Sequence, residues 1–156
     1  MYQAILAKDI MATRLVTLRP TMDVFEAMSL LLRNRVSGAP VVDEDGRFLG
    51  VFSEKVCMSV LIDAAYDSLP TNEVGVFLDP NIRTVDEEIE ILTIAQVFLL
   101  TDCRQVPVLR GEKLVGMISR RDVIRATLDA LEHIPQREST LLYLSALREL
   151  HEAPTM

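Results

Sequence analysis

The chain has 156 residues, of which 49% are hydrophobic and 25% charged, a balance typical of globular proteins that excludes wholesale disorder. Sixteen Lys and Arg against 23 Asp and Glu give a net charge of −7, spread over both halves, so nucleic acids and anionic membranes are poor default partners. No apolar run approaches the roughly 18 to 20 residues of a membrane-spanning helix, and we expect a cytoplasmic protein.

The residue types that build metal and redox sites are sparse and widely spaced. Cys57 and Cys103 form no CxxC motif, and His133 and His151 stand alone near the C-terminus. We therefore expect neither a disulfide framework nor a zinc site.

The elements predicted in chain order form an internal repeat. Thr17–Pro40 aligns with Thr84–Pro107 at a constant offset of 67 residues. Apolar residues follow the helical spacing i, i+3, i+4, i+7, i+8 in both copies, namely Val24, Ala27, Met28, Leu31 and Leu32, then Ile91, Ile94, Ala95, Phe98 and Leu99. This spacing predicts an amphipathic helix in each copy.

Each predicted helix precedes a predicted β-hairpin. In the first copy, the strands Ala39–Val42 and Phe48–Phe52 flank the turn residues Asp43–Gly46. In the second copy, the strands are Val106–Leu109 and Leu114–Ile118. The second strands align at an offset of 66, so one residue is missing from the second hairpin loop, where a length change disturbs the core least.

A second predicted helix begins after Ser53 and after Ser119. The repeat is thus strand, helix, strand, strand, helix, over residues 7–66 and 74–131, with Ser68–Asn72 as a linker. A unit of this size buries only about 60% of its unfolded surface. We therefore expect an α/β fold in which two pseudo-symmetric repeats pack as one intertwined unit.

Two segments resemble the signature of a known family. Gly50–Ser53 and Gly116–Asp122 are similar to the Gly-hydrophobic-hydrophobic-Ser/Thr-x-x-Asp signature of the CBS domain, and Val16–Pro20 and Arg35–Asp43 agree with it. Over about residues 7–131 the chain resembles a tandem CBS pair, or Bateman module. The resemblance implies a regulatory module that binds AMP, ADP or ATP, less often S-adenosylmethionine or NAD, in the cleft between its repeats.

The resemblance also implies composite sites, in which the Ser/Thr-x-x-Asp of one repeat holds ribose and phosphate and the segment before the Pro of the other holds the base. One such site draws on Thr13, Val36, Ser37, Gly38, Ser119 and Asp122, all of suitable type. The carboxylate of Asp122 suits the two ribose hydroxyls, and Ser119 opens a helix whose N-terminus favours a phosphate. Arg120 and Arg121 would add positive charge, and Gly116 would let a ligand approach closely.

The second implied site departs from the family pattern. Its residues are Ser53, Cys103, Arg104 and Gln105. The offset of 66 aligns Val56 with Asp122, and a valine side chain accepts no hydrogen bond from a ribose. We therefore predict one adenine nucleotide per chain.

Purely structural roles also fit the residues of both sites. Ser119 and Asp122 match a capping box, a role compatible with ligand binding, and Ser53 matches a simple helix cap. The corresponding structural roles are a surface charge for Arg104, a small buried apolar residue for Cys103, and small strand-entry residues for Ser37 and Gly38.

Residues 132–156 form a predicted C-terminal helical extension outside the repeat. An apolar stripe follows Glu138–Thr140 and consists of Leu141, Leu144, Ala146, Leu147 and Leu150. The stripe either covers the chain's own core or contacts a partner, and His133 and His151 are expected at the surface. The resemblance implies a homodimer that associates through its helices.

Two hypotheses from different classes remain. The chain is either a sensor of an adenine nucleotide that acts on an unknown downstream protein, or a dimerising scaffold with a vestigial site. An enzyme is not expected, because the sequence has no Ser-His-Asp set, no G-x-x-x-x-G-K loop and no histidine within either repeat.

Overall fold

The computed structural model describes residues 3–66, 72–132 and 137–152. The predicted linker, except for Asn72, and His133 lie outside these residues. In chain order the elements are α1 (Ala7–Ile10), α2 (Val24–Asn34), β1 (Gly38–Val42), β2 (Phe48–Ser53), α3 (Glu54–Ala65), α4 (Val74–Phe77), β3 (Val85–Asp86), α5 (Ile91–Leu100), β4 (Gln105–Arg110), β5 (Lys113–Ser119), α6 (Arg120–Leu131) and α7 (Arg137–Glu152).

The chain divides into two compact units, which we name for the repeat that supplies most of each. The N-repeat unit comprises Arg14–Ile82 and Gly111–Leu114. The C-repeat unit comprises the described residues of Met1–Thr13, Arg83–Arg110 and Val115–Met156. Each unit therefore takes a short helix from the start of the other repeat, α4 in the N-repeat unit and α1 in the C-repeat unit. The boundaries predicted at residues 7 and 74 mark sequence repeats and not compact units.

The first strand predicted in each repeat is very short. In the N-repeat unit it is a single parallel bridge between Leu18 and Val41, and in the C-repeat unit it is the two-residue β3, parallel to β4. Pro20 follows closely in the first repeat and has no N–H to donate to a ladder, which stops the strand.

Helix caps and antiparallel strand pairing define where the helices and hairpins begin and end. The Asp23 carboxylate accepts hydrogen bonds from the N–H groups of Phe25 and Glu26, at 2.9 and 3.2 Å, and so begins α2. The helix ends at Asn34 and is followed by Arg35, whose φ of 54° lies in the left-handed region. β1 and β2 pair antiparallel as the predicted hairpin, with an irregularity at Val41/Val42. In the C-repeat unit the strand order is β3, β4, β5.

The two cores use equivalent positions. Buried pairs related by the repeat are Leu18 and Val85, Ala27 and Ile94, Leu31 and Phe98, Ala39 and Val106, Val41 and Val108, and Phe52 and Ile118. The paired residues differ in size, since Ile94, Phe98 and Val106 are the larger members in the C-repeat unit and Leu18 and Phe52 are the larger members in the N-repeat unit. Full burial of such a side chain contributes about 1.5–3 kcal/mol.

The C-terminal helix differs from its prediction. α7 begins at Arg137, earlier than expected, and buries Tyr143 and Leu147 against Ile91 of α5. Leu141, placed in the predicted stripe, is 65% exposed. Tyr143 and Leu147 lie four residues apart and share one helix face, whereas Leu141 projects from a different side. The helix therefore docks by a stripe centred on these two residues.

His151 is not the surface residue that the sequence predicts. Its Nδ1 atom lies 3.0 Å from the Oγ1 atom of Thr93 and 3.6 Å from a carboxylate oxygen of Glu90. Both partners lie at the start of α5, so the end of α7 is attached there by a polar contact. Among the described residues, no helix is long and apolar enough to cross a membrane.

Candidate functional site

The candidate site is built around the junction of β5 and α6. Ser119 has extended backbone angles and its Oγ atom accepts a hydrogen bond from the Asp122 N–H at 3.2 Å. In return, the Asp122 Oδ2 atom accepts hydrogen bonds from the Ser119 N–H at 2.8 Å and from the Ser119 hydroxyl at 2.9 Å. The capping box predicted for these two residues is therefore confirmed.

The capping box leaves the second oxygen of Asp122 largely available. Within the described residues, Oδ1 receives only a long 3.4 Å contact from the guanidinium of Arg125, and the Asp122 side chain is 22% exposed. Two hydrogen bonds occupy Oδ2, whereas Oδ1 retains acceptor capacity for a hydroxyl group. Rotation of the Ser119 hydroxyl away from Oδ2 would free a second acceptor position. The arrangement can therefore cap α6 and bind vicinal hydroxyls at once.

The sequence analysis did not identify Arg125 as a neighbour of Asp122. Its i+3 spacing from Asp122 on a predicted helix is a local signal that could have found it.

Positive charge concentrates at the start of α6. Arg120 and Arg121 are the first two residues of this 12-residue helix, and both are exposed. Their charges add to the unpaired N–H groups and dipole of the helix N-terminus, which favour an anion. The guanidinium of Arg120 lies 6.0 Å from the centre of the Phe98 ring on α5. This contact was not predicted, because no local pattern relates the two residues.

Thr13 and Gly116 both lie in the C-repeat unit, and their predicted role in a ligand site stays a prediction. Ala12 pairs antiparallel with Met117, with N–H to oxygen distances of 2.9 and 3.0 Å, and this register places Thr13 opposite Gly116. Thr13 is exposed. The space beside Gly116 is already filled, since a Cβ atom there would lie 2.5 Å from the sulfur of Met11. The close packing of the Met11 side chain therefore explains the glycine at position 116, and no ligand is needed on that side to explain it.

The remaining predicted residues of the intact site lie in the N-repeat unit. The Ser37 carbonyl accepts a hydrogen bond from the Glu54 N–H at 2.9 Å, and Gly38 pairs with Ser53 across the hairpin. Val36 packs against the core. Their predicted role beside Asp122 joins residues of the two units and stays a prediction.

The residues of the second implied site are likewise divided between the units. The Ser53 hydroxyl accepts a hydrogen bond from the Val56 N–H at 3.2 Å without a reciprocal acid, so its role as a helix cap is confirmed. In the C-repeat unit, Arg104 and Gln105 are exposed and Cys103 is only half-buried. Cys103 is therefore less buried than predicted. A joint role for these residues stays a prediction.

An unpredicted groove opens between α5 and α6. Its volume is about 590 Å³, and we call it the α5–α6 groove. Its lining residues are Ala95, Phe98, Leu99, Thr101, Asp102, Arg120, Val123 and Ile124. The groove is mainly apolar, and Arg120 links it to the start of α6.

Within residues 3–66, 72–132 and 137–152, no group of three or more His, Cys, Asp or Glu side chains is arranged to hold a metal ion. Burial raises the pKa of the Cys57 thiol, which disfavours the reactive thiolate.

Comparison with known proteins identifies the family. The CBS domain matches residues 7–63 and 74–129, and the chain belongs to the CBS-domain family. The chloroplastic CBS domain-containing protein CBSX1 of Arabidopsis thaliana is 30% identical over 136 residues, which cover 70% of this chain and 58% of CBSX1. The chain thus spans little more than half the length of that relative.

Solved structures show the same fold. CBSX2 of Arabidopsis thaliana in complex with AMP is 28% identical, with a TM-score of 0.72 over 80% of this chain and 97% of that one. The CBS pair of MJ0100, crystallised with 5′-methylthioadenosine and S-adenosyl-L-methionine, is 21% identical, with a TM-score of 0.66 over 82% of this chain and 99% of that one. The predicted α/β fold of two CBS repeats is confirmed. The chain is a tandem pair of CBS domains.

Proposed function

We propose that this CBS pair senses the cellular energy state by binding an adenine nucleotide, AMP, ADP or ATP, at the start of α6. The observation that carries the proposal is the Asp122 carboxylate, which completes a capping box with one oxygen and keeps acceptor capacity on the other. The module has no catalytic role of its own, works in the cytoplasm and transmits its ligand state to a downstream protein.

Each part of the nucleotide has a counterpart in the site. The ribose hydroxyls donate to Asp122, while the phosphate accepts hydrogen bonds from Ser119 and from the first N–H groups of α6. Arg120 and Arg121 neutralise the phosphate charge. The family resemblance implies that Thr13 belongs to the site and that the segment Val36–Gly38 holds the base, and both assignments stay predictions. AMP in the 28% identical CBSX2 supports this class of ligand.

The charge of the site favours nucleotides over S-adenosylmethionine. The sulfonium of S-adenosylmethionine is positively charged, so the exposed Arg120 and Arg121 would repel it. The same two arginines would attract the phosphate of a nucleotide. NAD carries phosphates but is much larger than AMP. We therefore place AMP, ADP and ATP before S-adenosylmethionine and NAD.

Titration calorimetry tests the proposal with AMP, ADP, ATP, S-adenosylmethionine and NADH against the full chain. One nucleotide should bind per chain, because Val56 stands where the other repeat has Asp122. Val56→Asp should add a second, weaker binding event. Two equivalent sites in the parent, or tighter binding of S-adenosylmethionine than of AMP, would contradict the assignment.

A second function, dimerisation, is favoured by exposed apolar side chains at equivalent positions of the two repeats. Leu32 and Leu99 are 80% and 85% exposed. Met58 and Ile124 are 56% and 60% exposed, and Ile62 and Leu128 are 60% and 57% exposed. Exposed apolar surface of this kind is typical of an interface, and we propose that a second copy of the chain covers it.

Analytical ultracentrifugation tests this second function. The parent should be a dimer, and Leu32→Glu with Leu99→Glu should shift it to a monomer with an unchanged circular dichroism spectrum. If the chain is a dimer and binds no nucleotide, the result would support the dimerising scaffold and not the sensor. A monomeric parent would exclude the scaffold.

A further inference from the structure

Arg120 occupies a position that the sequence does not predict. The sequence places its charge beside Ser119, facing a phosphate, yet its guanidinium lies 6.0 Å from the centre of the Phe98 ring and lines the α5–α6 groove. A cation at this distance from an aromatic face is attracted by the ring quadrupole. The side chain is exposed and starts at the first residue of α6, so it is free to turn away from the ring.

We propose that Arg120 exchanges between the Phe98 ring and the phosphate of a bound nucleotide, and thereby couples the nucleotide site to the α5–α6 groove. This inference rests on the proposed function. Without nucleotide the guanidinium covers the ring face at the mouth of the groove. With nucleotide it turns to the phosphate, and the ring face opens toward the exposed apolar residues Leu99 and Ile124.

Only the second repeat has the two residues that this exchange needs. The positions aligned with Phe98 and Arg120 in the first repeat are Leu31 and Glu54, which supply neither an aromatic ring nor a cation. The substitution Phe98→Leu therefore installs a side chain that the same fold already accommodates at the equivalent buried position.

Competition between ring and phosphate makes a specific prediction for affinity. Because the ring contact stabilises the nucleotide-free state, Phe98→Leu should tighten binding of AMP and ATP by about two- to fivefold. Arg120→Gln should weaken binding, since it removes the phosphate contact. In the double variant, Phe98→Leu should have no further effect, because the cation that couples ring and ligand is gone.

Calorimetric titration of AMP and ATP into these three variants and the parent measures the coupling. Val97→Ala serves as the control, because it trims a buried side chain of the same core cluster on α5 while Phe98 and Arg120 stay unchanged, and it should lower the melting temperature at parental affinity. The Nε–Hε NMR signal of Arg120, assigned by its loss in Arg120→Lys, reports the exchange directly. In the parent, AMP should move this signal toward the position that it already has in Phe98→Leu.

The outcomes separate this inference from the function on which it rests. If the parent binds neither AMP nor ATP, the proposed function fails and the exchange fails with it. If the parent binds but Phe98→Leu leaves both affinity and the Arg120 signal unchanged, only the exchange is wrong. An effect of Phe98→Leu that persists in the Arg120→Gln background also overturns it, because the ring would then act through packing alone.

Discussion

The Asp122→Ala substitution separates the ligand-binding role of this residue from its capping role. In the structure the carboxylate accepts hydrogen bonds from the Ser119 N–H and hydroxyl. Loss of the reciprocal cap should cost about 1 kcal/mol, which lowers the melting temperature of a chain of this size by roughly 2–4 °C. Loss of a charged acceptor for the ribose should cost a further 1.5–3 kcal/mol of binding energy, or about a tenfold to hundredfold lower affinity.

A matched control removes a helix cap elsewhere. Asp23→Ala deletes a carboxylate that caps α2 through two N–H groups and that belongs to neither predicted site. It should lower the melting temperature about as much as Asp122→Ala does, but leave nucleotide affinity unchanged. Calorimetric titration with AMP and ATP and thermal melts of the nucleotide-free proteins give the two readouts.

The comparison has one outcome that refutes the reasoning. If Asp122→Ala melts earlier but binds AMP and ATP as tightly as the parent, Asp122 is only a cap and the ribose contact is wrong. If affinity falls tenfold or more in Asp122→Ala but not in Asp23→Ala, the loss cannot be assigned to destabilisation.

Three further changes test the fold. Gly50→Ala should destabilise more than Gly46→Ala in urea denaturation, because a Cβ atom on Gly50 would lie 2.5 Å from a backbone oxygen, whereas that on Gly46 meets nothing within 4 Å and bears only the backbone strain of about 1–2 kcal/mol; equal losses would refute the steric argument. The hydrogen bond from Arg110 holds the pKa of Glu87 below its ordinary value, so this pair stabilises the fold at neutral pH and the effect is lost as the pH falls through that lowered pKa. Glu87→Gln should therefore flatten the acid side of the stability profile, and parallel profiles in thermal melts would contradict this. A fragment of residues 1–70 should be unfolded, aggregated or a forced dimer, because it ends before α4 and separates α1 from the C-repeat unit; a monomer with a cooperative melt would disprove it.

Local patterns account for what the sequence predicted correctly. The spacing of apolar residues placed α2 and α5, and the turn residues between β-rich runs placed the first hairpin. The pattern Ser119-x-x-Asp122 predicted the capping box, because both partners lie within one helical turn. Comparison of two aligned copies also showed that Val56 breaks the pattern of the second site.

Contacts between segments that are distant in sequence determined the features that the sequence did not predict. Nothing local to Met11 shows that its side chain fills the space at Gly116, or that α1 packs in the unit of the other repeat. The groove contact of Arg120 with Phe98 joins residues 22 positions apart in sequence. The leucines and Tyr143 of α7 lie on more than one side of the helix, so the sequence does not show which side is buried. Packing against Ile91 of α5 buries the side that carries Tyr143 and Leu147. Periodicity and caps depend on neighbours within a turn or two, so the sequence alone determined the elements, whereas contacts between distant segments exist only once those elements are packed.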